Sequence, residues 1–374
     1  MRWVFWGATA LVGYTFAGYP AWLWLRSRLR PRPILQAQQI PSVTVVMVVR
    51  NEGKVLEKKL QNLLQLDYPT EACHLVVVSD GSTDGTDAIL SKYAENPRVQ
   101  VVMNQLSRGK ASGLNDAIAI SAGDVIVFTD ARQRIEPDAV RLLVENFADP
   151  DVGCVSGELM LGDPESGEVA RGMGLYWRLE KEIRELESAS GSVVGATGAL
   201  YAVRRELLVA VPEGTILDDV YIPMQVVKQG KRVIFEPRAR AWDSHDLGAG
   251  REYARKVRTL SGNFQLLQLA PWLLSGSNKI RFEFVSHKLL RLVVPFALLA
   301  ILFATLRIPG VFYRVALIAQ LTFYGLSVLA PTKLLKHSPV AHLADAAHTF
   351  VVLNTAAAVA FVRFVTRRRA AWSR

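Results

Sequence analysis

The chain has 374 residues, half of them hydrophobic, with 44 basic against 34 acidic side chains and a formal charge of +10. That length and apolar content imply a sizeable core and more than one structural region, which excludes a disordered chain or a small disulfide-stapled domain. Cys73 and Cys154 stand far apart in apolar surroundings, so they form no metal-ligand or disulfide framework, and the basic residues are not interleaved with aromatic ones.

The excess of positive charge therefore points away from nucleic acid and toward membrane lipids and a phosphate-bearing substrate. Residues 3–25 carry no charge and place Trp3, Trp6, Trp22 and Trp24 near their two ends, as a membrane-spanning helix does. Arg26, Arg28, Arg30 and Arg32 follow at once, which predicts a cytoplasmic location for the downstream chain by the positive-inside rule. A cleaved signal peptide is the competing reading, but no small-residue cleavage pattern precedes Arg26. Residues 1–32 are thus expected to be a transmembrane anchor, in a bacterial inner membrane.

After a proline-marked linker, residues 43–49 form a β-branched run that reads as a buried strand. A helix over 54–66 follows, with Leu56, Leu60, Leu63 and Leu64 on one face, then a strand at 75–78. A helix to about Tyr93, a strand at 99–103, a helix at 111–120 and a strand at 125–128 continue the alternation. Such alternation predicts an α/β fold with a doubly wound, mostly parallel sheet, whose ligands lie outside the carboxyl ends of the strands.

The polar motifs fall at those ends. Ser79-Asp80-Gly81 opens a glycine-rich turn in which Asp80 can accept hydrogen bonds from a base or ribose, while Ser82, Thr83 or Asp84 can equally cap the next helix. Arg108-Gly109-Lys110, followed by Asn115, either sets a cation on a diphosphate or is solvated surface charge. Asp130 directly follows the fourth strand, where a lone Asp is also a common turn residue. Asp218-Asp219 precedes a mostly apolar helix, so that one carboxylate can cap it while the other acts as a general base. Arg255, Lys256 and Arg258 suit phosphate oxygens or a membrane surface.

Beyond residues 271–274 and 280–285, which look interfacial, three apolar runs occupy 289–306, 315–330 and 346–362. Each is short for a span of about 20 residues, so Arg291, Arg314 and Arg363 are expected to snorkel. Arg367-Arg368-Arg369 would violate the charge rule if all runs crossed, which leaves the last run open to a re-entrant or interfacial placement. His337, His342 and His348 are assigned to packing or interfacial positions. The predicted organisation is an anchor at 1–32, a catalytic domain at 41–240, basic and interfacial helices at 241–288 and transmembrane helices at 289–374.

The order of these elements resembles the membrane-bound family 2 glycosyltransferases of GT-A fold, the group that contains cellulose, chitin and hyaluronan synthases and many single-transfer enzymes. The motifs that carry the resemblance are Asp80-Gly81, Gly109-Lys110-Ala111 with Asn115, Asp130-Ala131-Arg132, Gly195 to Gly198 with Arg204-Arg205, Asp218-Asp219 and Arg255-Lys256-Val257-Arg258-Thr259. The resemblance implies Asp219 as catalytic base, with Gly198 and Asp218 on the acceptor side. It implies nucleotide-sugar contacts from Asn51, Glu52, Asp80, Gly81, Lys110, Asn115, Asp130, Arg132, Arg255 and Arg258, and a Mg²⁺ or Mn²⁺ ion on Asp130. Two departures matter. Arg132 stands where the family has its second metal-binding carboxylate, and Thr259 replaces a tryptophan that lies beside the acceptor sugar in polymerising members.

The implied activity is inverting transfer from a nucleotide sugar, UDP-linked by the family's habit, to a lipid-linked or membrane-associated acceptor. A processive exopolysaccharide synthase, working as a homo-oligomer or with an export partner, is the alternative. A non-catalytic nucleotide-sugar-binding scaffold is the third reading.

Overall fold

In a computed structural model, the described residues are 1–163, 168–169, 174–243, 249–332, 334 and 339–366. The N-terminal segment is helical as α1 (Arg2–Gly13) and α2 (Tyr19–Leu29), joined by a π-turn at Tyr14–Gly18.

The sheet begins with β1 (Val43–Val49), in which every residue is buried because both faces are covered by helices. In chain order come α3 (Leu56–Leu64), β2 (Cys73–Asp80), α4 (Thr86–Tyr93), β3 (Val99–Asn104), α5 (Lys110–Ile120) and β4 (Val125–Thr129). β5 (Arg134–Ile135), α6 (Ala139–Glu145), β6 (Val152–Asp163), β7 (Glu168–Val169), α7 (Gly174–Ser190) and β8 (Leu200–Arg204) follow. α8 (Asp218–Lys228), β9 (Arg232–Asp243) and the long α9 (Ala249–Leu269) come next.

The strand order is β3-β2-β1-β4-β8-β6-β9-β5, with β7 paired to β6. β3, β2, β1 and β4 run parallel, and β8 is inserted antiparallel to both β4 and β6. The alternating half predicted from sequence is therefore present, and five further strands extend it. One core packs under the sheet around Leu56, Leu60, Leu63 and Val127, and a second lies above it around Leu114, Tyr201, Val220 and Leu266. Cys73 and Cys154 are both free and buried.

Among the described residues, three helices are long and apolar enough to cross a membrane: Arg281–Arg307, Val311–Thr332 and Ala341–Val365. They contain α10 (Arg281–Glu283), α11 (Leu290–Arg307), α12 (Val311–Leu329) and α13 (Ala341–Val365). Each outruns its apolar stretch by including polar flanks, so the last run, left open from sequence, has a full 25-residue helix of spanning length. His348 Nδ1 lies 2.9 Å from the Ser327 carbonyl and so joins the last two helices. His337 and Arg367 to Arg369 lie outside the described residues.

α1 packs Phe5 against Ala304 of α11 and Ile308 just beyond its end, and α2 packs Tyr19 and Leu23 on Ile183 of α7. A polar network locks these pieces. His287, in a π-helical turn, sets Nδ1 2.9 Å from Glu187 and Nε2 3.0 Å from Glu180, while the Tyr19 hydroxyl donates to Glu187 at 2.6 Å. Glu187 also accepts from the Val194 amide at 3.3 Å, so the same carboxylate reaches the glycine-rich segment beside the candidate base.

Candidate active site

The carboxyl ends of β1, β2 and β4 bring Glu52, Asp80 and Asp130 to one edge of the sheet. The chain leaves β1 toward β2 on one side, while β4 lies on the other, so the crevice between β1 and β4 is the topological switch point. Arg132 and Glu52 span it: Arg132 Nε lies 3.0 and 3.2 Å from the two Glu52 oxygens, and a terminal nitrogen lies 2.9 Å from Oε1.

Lys110 starts α5 and reaches across the same edge, with Nζ 3.0 Å from Asp130 Oδ1 and 3.1 Å from Asp218 Oδ2. Burial alone would lower its pKa, but Asp130, Asp218 and Asp219 outweigh that and hold it above the ordinary lysine value. It is a permanent cation at physiological pH. Asp218 is buried against it, whereas Asp219 is half-buried in the first turn of α8. Neither carboxylate caps that helix, contrary to the expectation from sequence, because Asp218 is turned onto Lys110. Burial pushes Asp219 up to about 6, Asp218 and Asp130 add to the rise, and Lys110 opposes it. Asp219 is thus a carboxylate poised to accept a proton near neutrality. Since kcat/KM reports the free enzyme, transfer should rise about tenfold per unit as pH climbs toward 6 and flatten above it. A profile flat down to pH 4 would remove Asp219 from the titrating role.

Gly198 lies flat against this base. A Cβ at Gly198 would stand 3.1 Å from Asp219 Oδ2, so bulk there would cover the carboxylate. Gly198→Val is expected to lower kcat/KM by about tenfold or more while shifting the melting temperature little, a pattern that separates blocked access from misfolding.

Three residues expected to touch the nucleotide also make bonds within the chain. Asp80 is fully buried and accepts from the Ser107 hydroxyl at 2.6 Å and from the Arg108 and Gly109 amides at 2.7 and 3.0 Å, so it anchors the loop that presents Lys110. Gly81 permits that closeness, because at φ +64 a Cβ would meet the Ser107 nitrogen at 2.5 Å. Asn115 is turned onto the Val211 backbone, donating to its carbonyl and accepting from its amide at 2.8 Å each. Those two bonds explain its place: it pins the segment leading to α8. Asn51, at φ +55, accepts from the Thr83 amide at 2.7 Å and ties the end of β1 to the Asp80 turn. Asp84 accepts from the Thr86 amide at 2.9 Å just ahead of α4, whose N-cap residue is Gly85 and has no side-chain cap.

α9 carries the basic pair. Arg255 is exposed, with Nη1 3.7 Å from Asp243, and Arg258 is half-buried one turn further on. Arg204 is structural: it donates to the carbonyls of Val152, Phe147 and Asp149.

Sequence reasoning missed Lys59. It is buried beneath the Asp130 turn, and its Nζ donates to Thr129 Oγ1 at 2.9 Å and to the Gln133 carbonyl at 2.6 Å. Burial pulls its pKa down to about 7 against the pull of Asp130. The signal was its phase, since residue 59 falls on the buried stripe of α3 with Leu56, Leu60 and Leu63.

A divalent cation is what the resemblance implies here, and the side chains present do not build a centre for one. Among the described residues no three His, Cys, Asp or Glu side chains group as metal ligands. Asp130 is already compensated by Lys110, and the next side chain along the turn that faces Glu52 is a guanidinium.

A curled, mostly parallel sheet with acidic turns at its switch point and a carboxylate on the facing helix is a GT-A-like fold. Residues 44–211 match the profile of Glycosyl transferase family 2. The chain therefore carries a glycosyltransferase family 2 domain, related to polysaccharide and glycolipid synthases. Poly-beta-1,6-N-acetyl-D-glucosamine synthase of Staphylococcus aureus is 26% identical over 254 residues, 65% of this chain and 60% of that protein. Beta-monoglucosyldiacylglycerol synthase of Synechocystis is 30% identical over 192 residues, 50% of this chain and 40% of that protein. The match thus spans less than two thirds of the length of either curated relative. A mannosyltransferase of Pyrobaculum calidifontis, solved with GDP-Man and Mn²⁺, is 25% identical with a TM-score of 0.74, covering 96% of this chain and 98% of that one.

Proposed function

We propose that this chain moves one sugar from a nucleotide-sugar donor to a lipid-linked or membrane-associated acceptor at the cytoplasmic face of a membrane, with inversion at the anomeric carbon. The observation that carries the reading is Asp219: a half-buried carboxylate with a raised pKa, beside Lys110, Asp130 and an open Gly198 at the switch point of the sheet. As the acceptor oxygen attacks the anomeric carbon, Asp219 takes its proton. The bond from that carbon to the diphosphate breaks on the opposite face, and one displacement with one base inverts the centre.

Negative charge then grows on the departing diphosphate. Lys110 faces it as a permanent cation, and Arg255 and Arg258 on α9 supply guanidinium groups suited to phosphate oxygens. UDP-sugars are the first donors to test, and GDP-sugars follow because the mannosyltransferase was solved with GDP-Man. The cytoplasmic placement rests on the arginines from Arg26 to Arg32.

Single transfer is favoured over polymer synthesis by Thr259, an exposed side chain too small to stack an acceptor sugar. Product length decides between them: a labelled donor supplied to the protein in lipid should give a glycolipid bearing one added sugar. A ladder of increasing length would establish the synthase reading.

A further inference from the structure

The turn that follows β4 holds cations where a metal-binding pair of carboxylates would be expected. Arg132, two residues after Asp130, is aimed by its two-pronged pairing with Glu52 and is 46% exposed at its side chain, so the guanidinium faces the crevice. The turn is clamped from below, because Lys59 donates to Thr129 at one end and to Gln133 at the other. Gln133 in turn donates to Asp243 at 2.9 Å, and Arg255 of α9 lies 3.7 Å from that same carboxylate. The turn and the basic helix are thus linked through Asp243.

The charges are also matched. Asp130 and Asp218 share Lys110, and Glu52 is neutralised by Arg132. A divalent ion is attracted by uncompensated oxygen ligands, of which Mg²⁺ and Mn²⁺ sites supply several. Here each of these three carboxylates already has a fixed cation within about hydrogen-bond reach. A diphosphate meets the opposite situation: its oxygens can take donors from Lys110 and Arg132, and a planar guanidinium matches them two at a time.

We propose that the donor's diphosphate is held in this chain by side-chain cations, Lys110 and Arg132, on a turn positioned by Lys59, so that nucleotide binding does not require a divalent metal. The inference rests on the donor site proposed above and departs from the metal use that the resemblance implies.

The test is calorimetric binding of UDP and GDP to the full chain in lipid, with Mn²⁺ or with excess chelator. The expected result is one dissociation constant, equal within about twofold in both conditions. Arg132→Ala, a change at a half-exposed position, should weaken binding about tenfold or more, the size of one charge-assisted hydrogen bond, and Mn²⁺ should not restore it. Arg132→Asp should create the missing carboxylate, making nucleotide binding Mn²⁺-dependent and giving a bound Mn²⁺ signal by electron paramagnetic resonance. Lys59→Met, which replaces a buried ammonium by an apolar chain, should melt no lower than the native protein yet raise the donor KM with kcat retained. Binding that disappears in chelator and returns with Mn²⁺ overturns the inference while upholding the donor site. Failure of both nucleotides to bind in either condition overturns the donor site itself.

Discussion

Asp219→Asn is expected to fold, bind nucleotide and transfer sugar about 100-fold to 10,000-fold more slowly than the native chain. The substitution keeps the shape of the side chain and removes only its capacity to take a proton. Its structural cost is small because Asp219 makes no capping bond at α8, and the contact that fixes its position, from the Ala196 amide at 2.7 Å, uses its backbone carbonyl. Loss of negative charge also relieves repulsion from Asp218 and Asp130, so the variant should melt at or above the native temperature. Initial rates of nucleoside diphosphate release, set beside a melting curve, check both halves. A well-folded Asp219→Asn protein with undiminished transfer would move the base elsewhere.

Lys110→Met should damage stability and turnover together. Lys110 bridges Asp130 and Asp218, and Asp218 is only 6% exposed at its side chain, so the variant leaves a buried carboxylate without its counterion. Breaking such a pair costs about 3–5 kcal/mol. Transfer should fall at least about 100-fold, because the cation facing the leaving diphosphate is gone. The two effects separate in Lys110→Met combined with Asp218→Asn, which removes the stranded charge. That double variant should regain most of the lost stability by urea unfolding and remain inactive. Recovery of turnover in it would show that Lys110 serves folding alone.

The sequence made the first half of the sheet legible because β1, β2 and β4 are almost wholly buried and carry apolar runs rich in valine. β5 and β7 are two-residue pairings that carry no periodic signal, and β6 and β9 pair across a long separation with register shifts. The acidic turns were found because they close such strands. What the residues there do was less visible. Asp80 and Asn115 look like ligand contacts in the chain, and tertiary packing also sets them on the backbone of residues 108–109 and 211, far away in sequence. Lys59 was hidden by its type, since a lysine on a helix reads as surface charge until its phase is counted against the leucines around it. The pairing of Arg132 with Glu52, 80 residues apart, has no local signature at all.

The central claim is that Asp219 and the cations around it catalyse transfer from a nucleotide sugar. Release of nucleoside diphosphate from a panel of UDP- and GDP-sugars, by the purified chain in membrane lipid with an acceptor lipid extract, tests it most directly. The account predicts turnover of one donor by the native protein and its near-absence in Asp219→Asn. Equal release by the two proteins, or none from any donor that binds, would contradict it.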